Sequence, residues 1–241
     1  MRLSILIPVY NEAATCARLL DSVLASDCLG LEKEIVVVES DSTDGTRAII
    51  HDFERRGVIR AIYENKPQGK GHALKAALAA ATGDILLIQD ADLEYKVSDY
   101  PALLRPLVAG TADFVMGSRH LGAETWQMRR FLHEGAKARL INLGALFYTR
   151  LFNALYGVKL TDPATMFKVF RRKTLAGIEL KSDWFDLDWE IVAKLIRRGY
   201  RPVEVPVTYA SRDFAEGKKI RFWRDAPMVL WAILWFRLAP L

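Results

Sequence analysis

The sequence predicts an α/β protein with a doubly wound, mostly parallel sheet flanked by helices, a Rossmann-like architecture. Three observations predict this class: continuous apolar strands, helices between them with one apolar face, and polar clusters directly after several strands. Ligands of such sheets bind at the carboxyl ends of the strands. The chain has 241 residues and no repeat or linker, so we predict a single domain over residues 1–241.

The first half of the chain supplies the regular alternation of elements. We predict strands over residues 3–9, 34–38, 58–63, 85–89 and 114–117. Helices are predicted over residues 13–25, about 46–56, 73–82 and 98–109, with Asn11 as the N-cap of the first. The second half is less regular. It predicts a long helix or helix pair over 129–156, a strand over 164–170, a helix over 189–198, a strand over 203–209 and a short apolar helix over 227–238.

Charge is distributed unevenly between the two halves. The chain carries 34 Lys and Arg and 29 Asp and Glu, a formal net charge of +5, and its 51% apolar content excludes a disordered or fibrous protein. Residues 1–125 hold 13 basic and 18 acidic side chains, whereas residues 126–241 hold 21 and 11. We therefore expect the second half to attract an anion.

The cysteine content and hydropathy indicate a reducing environment without a membrane span. Cys16 and Cys28 lack metal-ligand spacing, and two reduced structural thiols fit a reducing compartment. The first residues are too short and wrongly flanked for a signal peptide, and no run of about 18 apolar residues occurs. We expect a protein that is soluble or peripheral on a membrane.

Two carboxylates follow the fourth predicted strand. Asp90 and Asp92 alternate with Ala91, so both point to the same side at the edge of the sheet. Two convergent carboxylates suit Mg²⁺ or Mn²⁺ bridged to substrate phosphates, although an isolated Asp-x-Asp is also compatible with a polar turn. Further polar segments follow other strands: Pro8-Val9-Tyr10-Asn11-Glu12, the stretch over 38–46, and Gly69-Lys70-Gly71 before a helix N-terminus, a place suited to anions.

With these segments the chain resembles glycosyltransferase family 2, the inverting enzymes with the GT-A fold. The resemblance rests on Pro8–Glu12, on the acidic stretch that ends Asp44-Gly45-Thr46, and on the Asp-x-Asp at 90–92. In the acidic stretch, Glu39 stands where the family usually has Asp. The resemblance implies a divalent metal, and it implies that residues 1–125 bind a nucleotide-diphosphate sugar. The residues implied to contact the nucleotide are Pro8, Tyr10, Glu12, Glu39, Asp41, Lys70 and Asp90.

Within the family the chain looks most like the dolichol- or polyprenyl-phosphate mannosyltransferases and their glucosyl relatives. Asp90-Ala91-Asp92-Leu93-Glu94 resembles their Asp-Ala-Asp-Leu-Gln, which makes Glu94 a third candidate metal ligand beside Asp90 and Asp92. Met116-Gly117-Ser118-Arg119 matches their Gly-Ser-Arg. The stretch over 212–218 parallels their Arg-x-x-Gly-x-Ser-Lys, with departures at Ala215 and Gly217. The implied reaction is hexose transfer from a donor of the GDP-mannose or UDP-glucose type to a polyprenyl phosphate.

A phosphate acceptor also follows from physical reasoning. A sugar hydroxyl needs a general base, whereas a phosphate monoester is already largely dianionic at neutral pH and needs cations to hold it. Arg119, Arg129, His133 and Lys218 are candidates to bind that phosphate, and Asp92, Arg119, Arg129 and Lys218 are the predicted catalytic residues. The alternatives are a saccharide hydroxyl acceptor, with Asp188 or Glu190 as base, and a non-catalytic nucleotide-sugar or membrane-binding module.

The C-terminal region combines basic and aromatic residues in the way that membrane-interface helices do. Cations over 218–224 precede the apolar run over 228–236, which is too short to span a bilayer and is rich in Trp. We predict that residues 126–241 form the acceptor- and membrane-facing half, with amphipathic interfacial helices. Core packing of these helices is the alternative. The predicted location is peripheral, on the cytoplasmic face of a membrane, and we expect no nucleic-acid partner.

Overall fold

A single seven-stranded sheet joins both halves of the chain in the computed structural model, which describes residues 1–122, 135–212 and 222–241. The strands are β1 (Arg2–Val9), β2 (Glu32–Glu39), β3 (Arg60–Tyr63), β4 (Ile85–Ile88), β5 (Phe114–Ser118), β6 (Lys168–Arg171) and β7 (Val203–Pro206). Their order across the sheet is β3-β2-β1-β4-β6-β5-β7. The predicted α/β sheet flanked by helices is therefore confirmed.

Helices cover the sheet. They are α1 (Cys16–Ala25), α2 (Thr46–Arg55), α3 (Lys70–Ala80), α4 (Tyr100–Val108), α5 (Gly135–Tyr156), α6 (Leu187–Arg197) and α7 (Phe222–Leu238), with short 3₁₀ turns at Val97–Asp99 and Arg172–Leu175. Helices α1, α2, α4 and α6 form where the sequence repeats apolar residues at helical spacing. In α1, for example, Leu19, Leu20 and Val23 are fully buried.

The sheet is mixed, because β6 runs antiparallel to both of its neighbours, β4 and β5. The other pairings are parallel, as predicted. The strand predicted over 164–170 does return to the sheet, but only Lys168–Arg171 is extended. Thr165 donates its backbone N–H to the carbonyl of Asp162, and this turn delays the start of the strand.

The prediction that Asn11 caps the first helix is wrong. Helix α1 begins at Cys16 with Thr15 as its N-cap residue. Asn11 instead has a φ of 50°, and its Oδ1 accepts a hydrogen bond from the backbone N–H of Thr43. A short amide side chain tolerates this left-handed conformation and here joins two loops rather than starting a helix.

Candidate functional site

The loops after β1 and β2 are joined to each other at the carboxyl edge of the sheet. Asn11 donates its backbone N–H to Ser42 Oγ at 2.9 Å, and Thr43 donates to Asn11 Oδ1 at 2.9 Å. Glu12 donates its backbone N–H to Thr46 Oγ1 at 2.8 Å, at the start of α2. These contacts place the first two polar segments side by side, as expected for strands whose carboxyl ends meet at one edge.

Residues predicted to contact the nucleotide flank these loops. Pro8 is buried within β1, whereas Tyr10 is 37% exposed just beyond it. Glu39, fully buried at the end of β2, pairs with Arg47 Nε at 2.5 Å, and Asp41 lies 3.4 Å from Arg47 Nη1. Glu39 raises the pKa of Arg47 above its ordinary value. The sequence reasoning missed Arg47, which shares its charge between the two predicted carboxylates.

Asp90 and Asp92 follow β4 at the same edge. Burial, together with the negative charges of Asp90 and Glu94, raises the pKa of Asp92 to about 7. Carboxylates that repel one another in a partly buried position gain from a bound cation. Asp90 and Asp92 therefore have the chemistry that suits a divalent metal. Among residues 1–122, 135–212 and 222–241, the structure forms no group of three His, Cys, Asp or Glu side chains that could hold an ion.

Arg212, the last described residue before the gap over 213–221, lies in the site. Its Nη1 lies 2.9 Å from Glu12 Oε2, and its Nη2 lies 3.3 Å from Asp92 Oδ2. Glu94 accepts hydrogen bonds from the Arg212 backbone N–H at 2.8 Å and from Tyr209 Oη at 2.6 Å. The predicted metal ligand Glu94 therefore anchors the segment over 209–212, and a role for it at a metal stays a prediction.

Lys70 reaches the first of the two aspartates from the start of α3. Its Nζ lies 3.0 Å from Asp90 Oδ1 and 3.7 Å from Asp188 Oδ2. The charges of Asp90 and Asp188 raise the pKa of Lys70 above its ordinary value despite burial, so the ammonium stays charged. Lys168, on β6, lies 3.1 Å from Asp188 Oδ1. The sequence reasoning did not single out Lys168 as a site residue.

The two candidate bases, Asp188 and Glu190, have different partners and different exposure. Asp188, near the start of α6, is 13% exposed, and each of its carboxylate oxygens faces an ammonium group. Glu190 is fully buried, pairs with Lys194 at 2.7 Å and accepts the backbone N–H groups of Lys181 and Ser182. Glu190 therefore holds the loop before α6 in place, and only Asp188 lies beside Lys70 and Asp90.

Arg119, predicted to hold an acceptor phosphate, is paired inside the protein. Its Nε and Nη2 donate to the carboxylate of Asp162 at 2.6 and 2.7 Å, and its side chain is 7% exposed. The ion pair connects the end of β5 to the turn before β6, so contact with an acceptor stays a prediction. Arg129, His133 and Lys218 lie outside the described residues.

The glycines around Lys70 allow the start of α3 to pack closely against the loop over 182–184. The backbone N–H of His72 donates to the carbonyl of Asp183 at 3.0 Å. A Cβ on Gly71 would lie 2.7 Å from the carbonyl carbon of Asp183 and 2.8 Å from Ser182 O. The start of α3, predicted to suit an anion, thus touches the loop over 182–184, and the glycines let Lys70 enter the site.

The sheet is mostly parallel, and two carboxylates and a lysine lie at its carboxyl edge. The family model for glycosyl transferase family 2 matches residues 4–178. The chain belongs to glycosyl transferase family 2, and the predicted family is confirmed.

Relatives with this sequence pattern include three transferases. A dolichol-phosphate mannosyltransferase from Pyrococcus furiosus is 31% identical over 223 residues, which cover 90% of this chain and 59% of the relative. The glycosyltransferase AglJ of Haloferax volcanii is 28% identical over 93% of this chain and 68% of its own length. An undecaprenyl-phosphate 4-deoxy-4-formamido-L-arabinose transferase from an Enterobacter species is 29% identical over 90% of this chain. The match covers 62% of that transferase. This chain therefore spans about three fifths of the length of the first and third relatives.

Solved structures agree with the fold. Glucosyl-3-phosphoglycerate synthase from Mycobacterium tuberculosis, in complex with Mn²⁺, uridine diphosphate and phosphoglyceric acid, superposes with a TM-score of 0.72 at 21% identity. The superposition covers 100% of this chain and 80% of the synthase. At this identity the likeness establishes the shared GT-A architecture.

Proposed function

We propose that the protein is a metal-dependent inverting glycosyltransferase that moves a hexose from a nucleotide-diphosphate sugar to a polyprenyl phosphate. One observation carries the proposal: Asp90 and Asp92 stand at the carboxyl end of β4, with the Lys70 ammonium 3.0 Å from Asp90. Carboxylates for a metal and a cation for phosphate oxygens are what binding of a diphosphate requires. The donor is of the GDP-mannose or UDP-glucose type.

Asp90 and Asp92 would hold Mg²⁺ or Mn²⁺, the ion that offsets charge on the departing diphosphate when bound. The M. tuberculosis synthase was crystallised with Mn²⁺ and with Mg²⁺, which supports this choice of ions. Lys70 adds a fixed positive charge at the same edge. The paired loops after β1 and β2, with Tyr10, Glu39 and Asp41, would hold the nucleoside.

The arrangement around Asp188 favours a phosphate acceptor over a hydroxyl. A hydroxyl needs a free base within reach, but both oxygens of Asp188 face ammonium groups, and Glu190 is buried in hydrogen bonds of its own. A phosphate dianion attacks without a base. The names of two relatives, which include dolichol phosphate and undecaprenyl phosphate, agree with this acceptor. Arg119, Arg129, His133 and Lys218 stay the predicted contacts to it.

The acceptor is tested by comparing a polyprenyl phosphate with the matching polyprenol, at equal concentration in the same detergent. We expect sugar transfer to the phosphate and none to the alcohol. Transfer to the alcohol or to a soluble saccharide, lost in Asp188→Asn, would establish the hydroxyl alternative. Nucleotide binding without transfer to any acceptor would instead indicate a binding module.

Helices α5 and α7 supply a surface for the bilayer that holds such an acceptor. We define the α5–α7 apolar surface by its exposed members, Leu143, Phe147, Trp231, Leu234, Trp235 and Leu238, which are 48–84% exposed. Trp231 and Trp235 stack at 5.5 Å between ring centroids. No helix within the described ranges is long and apolar enough to cross a membrane. An exposed tryptophan-rich stripe supports peripheral contact with the interface rather than core packing, and the cytoplasmic face stays a prediction.

Removing both tryptophans should weaken membrane binding. We expect Trp231→Ser/Trp235→Ser to lower the affinity for phosphatidylglycerol vesicles about tenfold, because each ring withdraws its exposed apolar area from water on binding. Co-sedimentation with vesicles measures the effect. Val203→Ser, at an exposed apolar residue on β7, is the control and should bind as the wild type does. Unchanged binding of the double variant would assign another surface to the membrane.

Acid should weaken metal binding by the nucleotide-free protein. The pKa of Asp92, at about 7, lies above its ordinary value, so this carboxylate is ionised above pH 7 and takes up a proton below it. A proton and a divalent ion compete for the same oxygens. We expect Mn²⁺ affinity to be constant above about pH 8 and to fall up to about tenfold per pH unit below 7. Titration with Mn²⁺ followed by electron paramagnetic resonance measures it, and a flat profile between pH 8 and 6 would contradict the assignment of Asp92.

A further inference from the structure

Four side chains of alternating charge lie in a row at the carboxyl edge of the sheet. Lys168 contacts Asp188 Oδ1 at 3.1 Å, Asp188 Oδ2 lies 3.7 Å from Lys70 Nζ, and Lys70 Nζ lies 3.0 Å from Asp90 Oδ1 and 3.1 Å from Asp90 Oδ2. We call these residues the charge chain. It joins β6, α6, α3 and the end of β4, so its members come from four distant parts of the sequence.

Lys168 is an unusual end to the charge chain. It lies on β6, inside the sheet between β4 and β5, and none of its side chain is exposed. Its ammonium donates to the carbonyl of Thr165 and to Asp188. Burial lowers the pKa of Lys168, while Asp188 opposes that effect. An apolar residue at this position would avoid the desolvation of a charge.

We propose that Lys168 is a positioning residue that acts through Asp188 to leave Lys70 shared between Asp188 and Asp90, so that Lys70 keeps neutralising part of the Asp90 charge and thereby moderates its affinity for a divalent ion. The inference rests on the proposed function, in which Asp90 holds a metal. Lys168 itself contacts neither the metal position nor a substrate. Its effect is to satisfy one oxygen of Asp188 and so to limit how strongly Asp188 draws Lys70.

The geometry gives the two partners opposite effects on Asp90. Without the Lys168 charge, Lys70 is the remaining ammonium beside Asp188 within the described residues, and it is drawn away from Asp90. Without the Asp188 charge, Lys70 pairs with Asp90 alone and neutralises it. We expect this redistribution of charge to change the affinity for a divalent ion about fivefold, which corresponds to about 1 kcal/mol.

The test is Mn²⁺ affinity measured by electron paramagnetic resonance, with and without a nucleoside diphosphate. We expect Lys168→Met to bind Mn²⁺ about fivefold more tightly and Asp188→Asn about fivefold more weakly than the wild type. The double variant Lys168→Met/Asp188→Asn leaves no unpaired buried charge and keeps the protein testable if Lys168→Met does not fold. Because Lys168 acts through Asp188, the double variant should match Asp188→Asn.

The double variant separates positioning from simple charge. If Lys168 acted directly through space, its removal would tighten Mn²⁺ binding equally in the presence and absence of the Asp188 charge. Lys194→Met is the matched control, because Lys194 is also buried and paired with a carboxylate of α6. It should lose stability without a change in Mn²⁺ affinity.

Failure of the positioning role and failure of the proposed metal site give different Mn²⁺-binding results. A double variant that binds Mn²⁺ more tightly than Asp188→Asn, or single variants that shift affinity in the same direction, would overturn the positioning role and leave the proposed metal site standing. Wild-type protein that binds no Mn²⁺ even with the nucleoside diphosphate would overturn both.

Discussion

Asp92→Asn is expected to reduce sugar transfer about a thousandfold while leaving the fold intact. The substitution keeps the shape of the side chain and removes one of the two charges that would hold the metal. Loss of charge stabilisation on the departing diphosphate costs several kcal/mol of the barrier, and about 4 kcal/mol corresponds to a thousandfold in rate. Transfer of radiolabel at saturating donor, at several Mn²⁺ concentrations, measures the effect.

The control for this variant lies at the other end of the same strand. Asp84 precedes β4, where it accepts a hydrogen bond from the backbone N–H of Arg2, far from the carboxyl edge. Asp84→Asn should keep turnover within about twofold of the wild type, because a surface carboxylate at the amino edge contributes little. Asp92→Asn with full activity would remove this site from the mechanism.

Gly71→Ala is expected to destabilise the protein by about 2 kcal/mol or more and to impair activity as well. The added methyl group would meet backbone atoms of Ser182, Asp183 and Trp184 at 2.7–2.9 Å, and backbone yields less readily than a side chain. The loop that must move leads directly into α6, which carries Asp188. Urea unfolding measures the stability, and the rate of transfer by the folded fraction measures the displacement of the site.

Gly144→Ala is the matched variant for this prediction. Gly144 also lies within a helix, α5, but among the described residues no atom lies within 4 Å of the position of an added Cβ. The same substitution should therefore stabilise the protein by up to about 1 kcal/mol, because alanine is the better helix former. Equal effects at the two glycines would contradict the close approach of α3 to the loop over 182–184.

Local sequence patterns predicted the parallel part of the sheet and the position of the carboxylates at its edge. Strands such as β1 and β4 are continuous apolar runs, and polar segments mark their ends, so the segments after β1 and β4 are expected to be neighbours from topology. The direction of β6 did not follow, since a short strand carries no pattern that distinguishes parallel from antiparallel pairing.

The partners of the site residues were also beyond sequence reasoning. Arg212 meets Glu12 across 200 positions of the chain, and Arg119 meets Asp162 across 43. Nothing local signals such pairs, because their members are far apart in the sequence and only the folded chain brings them together. Lys168 lies at the start of a buried strand, and the carboxylate that pairs with it, Asp188, comes from another element. Because of such ion pairs, Arg119 and Asp188 are interpreted as paired groups rather than as free ones.

Transfer of label into lipid is the measurement that tests the account most directly. The purified protein would be incubated with Mn²⁺ or Mg²⁺, a polyprenyl phosphate and a panel of radiolabelled nucleotide sugars, and the organic phase would be counted. The account predicts label in the organic phase that requires the metal, the phosphate and one donor of the panel. Label that stays in the aqueous phase with every donor, or organic label that persists in the presence of a chelator, would contradict a metal-dependent transferase acting on a lipid phosphate.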